Sequence, residues 1–73
     1  MDFLQNHIEA LIFCAPAPIK LVDLKSCLSE MFNAEVPEKD IADAVARLID
    51  KYKDETFSFQ VNKSAGGYQF LTK

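Results

Sequence analysis

Residues 57–73, FSFQVNKSAGGYQFLTK, decide the fold of this chain. Phe57, Phe59 and Val61 alternate with Ser58, Gln60 and Asn62, the period of two expected of a strand with one covered face. Ser64, Ala65, Gly66 and Gly67 then supply a turn, where glycine reaches positive φ at little steric cost. Tyr68, Phe70 and Thr72 make the return strand. The Gly66-Gly67 pair is too short to cradle a phosphate and leads into a strand rather than a helix N-terminus.

Upstream of this ribbon the period is helical. Between Asp2 and Ala15, the residues Leu4, Ile8, Leu11, Ile12 and Ala15 recur every three or four positions, which is one face of an amphipathic helix that Asp2 can cap. Pro16 and Pro18 end that helix, so PAPI (16–19) is extended. A second helix runs from Leu21 to about Phe32 and buries Leu21, Leu24, Cys27, Leu28 and Met31, with Lys20 standing where Ser, Thr or Asp would cap best. Asn33 and Ala34 lead to a short extended piece at Val36. Pro37 suits the first turn of a third helix, with Glu38 and Asp40 near the positive end of its dipole. That helix buries Ile41, Val45, Leu48, Ile49 and Tyr52 and ends near Lys53. Three helices followed by a glycine-turned hairpin is the element order of a winged helix-turn-helix, an α+β fold that is mainly α, with the second and third helices as the helix-turn-helix and the hairpin as the wing.

Composition restricts what such a domain does. The 73 residues hold one core, read as a single domain over 1–73. Hydrophobic residues make up 49% of the chain against 26% charged, which favours a packed globule over disorder. A net charge of -3 and a pI near 4.9 speak against a polyanion partner or a membrane-surface patch. The third helix is itself acidic. In EKDIADAVARLIDKYKDE (38–55), Glu38, Asp40, Asp43, Asp50, Asp54 and Glu55 outnumber Lys39, Arg47, Lys51 and Lys53. A helix reading a major groove draws most of its affinity from Lys and Arg at phosphates, so this one is repelled. A winged-helix DNA-binding regulator is the alternative reading, and it has only Arg47, Lys51, Lys53, Lys63 and Lys73 to work with.

The apolar stretch ALIFCAPAPI (10–19) is broken by proline and falls far short of the roughly 20 residues that span a bilayer. No basic segment precedes an apolar run at the start, which predicts no signal peptide and a cytoplasmic protein. Cys14 and Cys27 have neither CxxC spacing nor a His pair beside them and read as inward-facing reduced thiols, not a disulfide or metal site. His7 has no partner at a spacing that makes a triad, a general-base pair or a metal site, and it reads as a half-exposed side chain on the flank of the first helix. No catalytic, cofactor-binding or metal-ligating set is found, so the expectation is a chain without catalysis or cofactor.

The far side of the first helix carries the functional signal. At about 100° per residue, Phe3, Asn6, Ala10 and Phe13 form a second stripe opposite the core stripe. A three-helix domain cannot bury both deeply. A buried Phe gains about 1.5–3 kcal/mol over an exposed one, so Phe13 is expected to find a partner. Either PAPI or the hairpin folds over it, or the stripe is a protein interface. Tyr68 and Phe70 on the wing are further candidates for partner contact, or they close the core.

Two segments resemble a known family. HIEALIFCAPAPIKLVDL (7–24) is similar to the opening of bacterial ScpB, the segregation and condensation protein, with its I-E-A-L-L-F segment, small-residue and proline break, and L-x-x-L helix. FQVNKSAGGYQFLTK (59–73) resembles the same family's strand, A-G-G-Y turn and return strand, with Gly66, Gly67, Tyr68 and Thr72 at matching places. Lys20 departs from the family's helix cap, CAPAP (14–18) lacks the usual Gly-Glu, and Phe57, Phe59 and Phe70 make the hairpin more aromatic. The resemblance implies the N-terminal winged-helix domain of a longer two-domain protein. It further implies a non-enzymatic, dimerising scaffold subunit of the SMC–kleisin complex that condenses and segregates bacterial chromosomes. Such a subunit is nucleoid-associated, forms homodimers, and embraces the kleisin ScpA and through it the SMC ATPase, without direct sequence-specific nucleic-acid binding.

Overall fold

A computed structural model describes residues 2–73, Asp2 through its backbone alone. The cap expected of the Asp2 side chain therefore lies outside the described residues. Helix α1 spans Asp2–Cys14, α2 Leu21–Phe32 and α3 Glu38–Lys51, followed by strands β1 (Phe59–Ser64) and β2 (Gly67–Thr72). The order is that of a winged helix-turn-helix.

One core joins all five elements. α1 contributes Leu4, Ile8 and Ile12, α2 Leu24 and Leu28, and α3 Ile41, Ala44, Val45 and Leu48. Val36 from the turn and Val61 and Tyr68 from the hairpin complete it. Ala44 was not expected inside. Its small side chain lies between Ile41 and Leu48 on the same helix face, and all three are fully buried.

Helix boundaries follow local chemistry. Lys20 precedes α2 in extended geometry, and no side chain caps that helix, as its residue type predicts. At the other end Asn33 is left-handed (φ 51°), with its N–H on the Glu30 carbonyl and the Ala34 N–H on the Ser29 carbonyl, the two bonds of a Schellman cap. The Ser29 hydroxyl also accepts the Val36 N–H at 3.2 Å. Ser29 thus holds the turn of the helix-turn-helix, and Val36, which lies outside any helix or strand, is buried. Pro37 sits one position earlier than expected, just outside α3, where its carbonyl accepts the N–H groups of Asp40 and Ile41. α3 stops at Lys51, and Tyr52, Lys53 and Asp54 continue as turns.

The hairpin is antiparallel with Ser64 opposite Gly67 and Val61 opposite Phe70. The proline segment joins it. Ile19 pairs with Tyr68, donating its N–H to the Tyr68 carbonyl at 2.9 Å and accepting the Tyr68 N–H at 2.8 Å. β2 is therefore held on both sides. Gly67 is needed here twice over, because its φ is +118° and a Cβ would lie 2.4 Å from the Ile19 backbone. A Cβ at Gly66 would meet Pro18 only at ordinary contact distance.

The burial expectations for Met31, Cys14, Cys27, Phe57 and Phe59 are corrected. Met31 is 52% exposed although the next residue, Phe32, packs against the core, so its side chain falls outside the face that α2 buries. Cys14 is exposed at the last position of α1, and Cys27 is half-buried; both thiols are free. Phe59 is 45% exposed, so within the alternation only Val61 is buried. Phe57 precedes β1 and is half-buried in the connection.

Candidate protein-docking face

α1 turns Leu4, Ile8 and Ile12 inward, which leaves Phe3, Asn6, Ala10 and Phe13 exposed on its outer side. Phe3 and Phe13 are 71% and 69% exposed. Neither PAPI nor the hairpin folds over Phe13. It meets the wing at one edge only, its ring 5.9 Å from that of Phe70 in a T-shaped contact.

That contact begins an aromatic chain. Phe70 stands edge-on to Tyr52 at 5.1 Å, and Tyr52 lies 4.7 Å from Phe57. These side chains line a groove of about 530 Å³ together with Asn6, Glu9, Ala10, Phe13, Cys14 and Phe59. Three of the four stripe residues therefore share one groove, while Phe3 stands further along α1 and does not line it. Of the wing residues, Phe70 belongs to the groove. Tyr68 is buried and closes the core, and Gly66 and Gly67 shape the turn.

Polar contacts fix the groove's floor. Tyr52 donates its hydroxyl hydrogen to Glu9 at 2.8 Å, and Lys51 reaches the other Glu9 oxygen at 3.2 Å. Arg47 donates to Gln5 at 3.1 Å one turn earlier. Gln5 and Glu9 are one helical turn apart on α1, as Arg47 and Lys51 are on α3, so the two helices are joined by a two-rung polar ladder. Burial raises the Tyr52 phenol above its ordinary value, and both the hydrogen bond to Glu9 and that carboxylate's charge push the same way. The Lys51 ammonium also lies 5.1 Å from the Tyr52 ring centre and 5.8 Å from that of Phe57. The floor is therefore rigid and its charges are paired, which suits apolar contact more than proton transfer. No group of three or more metal-binding side chains occurs among the described residues.

The same ladder bears on nucleic acid. Arg47 and Lys51, two of the cations a DNA-reading α3 needs, are engaged by α1, whereas Glu38, Asp40, Asp43 and Asp50 are exposed. The site residues missed by sequence reasoning are Glu9, Cys14, Tyr52, Phe57 and Phe59. Helical spacing put Tyr52 in the core, and strand alternation put Phe57 and Phe59 there. The usable signal was the surplus of aromatics in the hairpin.

Fold and face define the class: a winged-helix domain whose third helix is acidic and whose open surface is aromatic. The sequence model for "Segregation and condensation complex subunit ScpB" matches residues 6–73, and the chain belongs to that family. It is 32% identical over 72 residues to the segregation and condensation protein B of Moorella thermoacetica, covering 99% of this chain and 34% of that protein. It is also similar to the crystal structure of a conserved hypothetical protein from Chlorobium tepidum, with a TM-score of 0.73 and 30% identity over 99% of this chain and 42% of the other. The chain thus spans about a third of the curated relative's length.

Proposed function

We propose that this domain is a non-catalytic scaffold in a segregation and condensation complex, and that it self-associates through the outer stripe of α1. Phe3, Asn6, Ala10 and Phe13 form the contact, with Phe70 at its border. The observation that carries this reading is the exposure of two phenylalanines on one helix of a domain with a filled core. Two such rings in water on so small a surface form an apolar patch of the kind that marks protein interfaces.

Within the same reading, the homodimer engages the kleisin ScpA and through it the SMC ATPase, and the protein resides on the nucleoid in the cytoplasm. The support is membership of the ScpB family together with a third helix unsuited to phosphate. The deciding experiment is sedimentation of the chain across concentration beside Phe13→Glu. A concentration-dependent dimer that becomes a folded monomer in the variant supports the assignment. Undiminished association in Phe13→Glu removes the stripe, and a salt-sensitive, sequence-selective shift of duplex DNA at micromolar protein revives the DNA-binding regulator.

A further inference from the structure

β1 is the open edge of the sheet, and the pairing register identifies its free backbone groups. Tyr68 directs its N–H and C=O to Ile19, so the Lys63–Tyr68 pair exchanges no ladder bonds between β1 and β2. Lys73 donates its N–H to the Ser58 carbonyl at 3.0 Å, which marks the even positions of β1 as those facing β2. By the period of two, the N–H and C=O groups of Phe59, Val61 and Lys63 point away from the sheet. Among the described residues no strand lies beyond them. Edges of this kind are usually blunted by proline, a bulge or charge. Here the only such device is Lys63.

A second feature lies alongside. A cavity of about 400 Å³ is lined by Gln60 and Val61, which point to opposite faces of the strand, and by Ile49, Tyr52, Lys53 and Lys73. Its lining has apolar surface and two ammonium groups but no Asp or Glu side chain. Neither Lys53 nor Lys73 forms an ion pair among the described residues, and the Lys73 ammonium donates to the Asp54 carbonyl oxygen. The Asp54 carboxylate accepts the Thr56 N–H at 2.9 Å, which lowers its pKa below the ordinary value, and the charge of Lys73 lowers it further. In a chain of net charge -3, the two charged side chains that line this cavity are both cationic, which favours an acidic segment over a basic one at the edge.

We propose that the β1 edge receives an extended acidic segment of a partner protein as an added strand. The segment's backbone pairs with Phe59, Val61 and Lys63, its apolar side chains cover Ile49 and Val61, and its carboxylates meet Lys53 and Lys73. This surface is separate from the α1 stripe. It rests on the reading of the domain as a protein-docking module.

The test uses a labelled peptide of alternating glutamate and valine, its lysine and valine counterpart, and a DNA duplex, each titrated into the chain by fluorescence anisotropy. Amide hydrogen exchange is followed in parallel. The acidic peptide is expected to bind, to protect the amides of Phe59, Val61 and Lys63, and to weaken about tenfold with Lys53→Glu/Lys73→Glu. Lys39→Glu, equal in charge change to one of those substitutions but at the start of α3, is expected to leave affinity unchanged. Lys63→Pro blocks an outward N–H without removing a β1–β2 bond and is expected to abolish binding where Lys63→Ala only weakens it, with thermal unfolding confirming that both variants fold. Equal binding of the two peptides, or an acidic peptide that binds Lys63→Pro as well as the parent, overturns the proposal while leaving the scaffold reading intact. Binding of the duplex in place of the peptide overturns both.

Discussion

The two faces of α1 are made of similar material and meet opposite fates. Leu4, Ile8 and Ile12 are at most 3% exposed, while Phe3 and Phe13, with larger side chains, remain about 70% exposed on the other side. Hydrophobicity alone does not decide which side goes in. The inner face lies against α2, α3 and β2, which fill it with side chains of matching length. On the outer face Phe13 meets the edge of Phe70 and stays largely exposed. A helix in a domain this small has one filled side, and apolar residues on the other side are available for contact between molecules.

The contrast can be broken at its strongest point by Ile8→Ala. Ile8 is fully buried, so the cavity and lost transfer energy should destabilise the fold by about 2–5 kcal/mol, read by chemical denaturation. Gly67→Ala attacks the support behind both faces. Its Cβ meets the Ile19 backbone and its φ is unfavourable for a side chain, so a loss of about 1–3 kcal/mol is expected, with faster amide exchange at Tyr68.

Tyr52→Phe probes the boundary between the faces, where the phenol is tied to Glu9. Loss of that bond should cost about 0.5–1.5 kcal/mol. The parent should also show a pH dependence of definite sign. The folded-state value for Tyr52 is raised above the ordinary 10.0, so the stabilisation from its neutral form is complete below that pH and disappears as pH rises through the native value. A tyrosinate absorbance titration that gives an unshifted native midpoint would contradict the latch. Smallest of all in stability is Phe13→Ala, expected to change the monomer's unfolding energy by no more than about 0.5 kcal/mol, while its effect should appear in self-association. A large destabilisation of the monomer would mean that Phe13 belongs to the fold after all.

Much of this architecture was legible in advance because it depends on near neighbours in the chain. α2 ends at Phe32 because Asn33 can adopt the left-handed cap, and Gly67 sits where positive φ is required. Leu24, Leu28, Ile41, Val45 and Leu48 were all placed correctly inside, since helical spacing aligns them on one face. Met31, Cys14 and Phe59 were misplaced for one shared reason. Each lies on a face that the period marks as apolar, and only the packing of distant segments leaves it outside the core.

The candidate groove was half legible. The stripe of Asn6, Ala10 and Phe13 followed from α1 alone, but its far wall of Tyr52, Phe57 and Phe70 comes from segments about 40 or more residues away in sequence. No local pattern reports that Glu9 meets both Lys51 and Tyr52, or that Ile19 borders β2.

By itself, the sequence determined the order of three helices and a hairpin, the sites where each breaks, the acidic character of α3 and the presence of two apolar stripes on α1. These are consequences of backbone geometry and side-chain period, which act within a few residues. The tertiary structure alone decided that neither PAPI nor the hairpin covers the outer stripe, which aromatics gather into a groove, and which edge of the sheet stays open. Those outcomes depend on the space between elements, and that space is settled only when distant segments pack together.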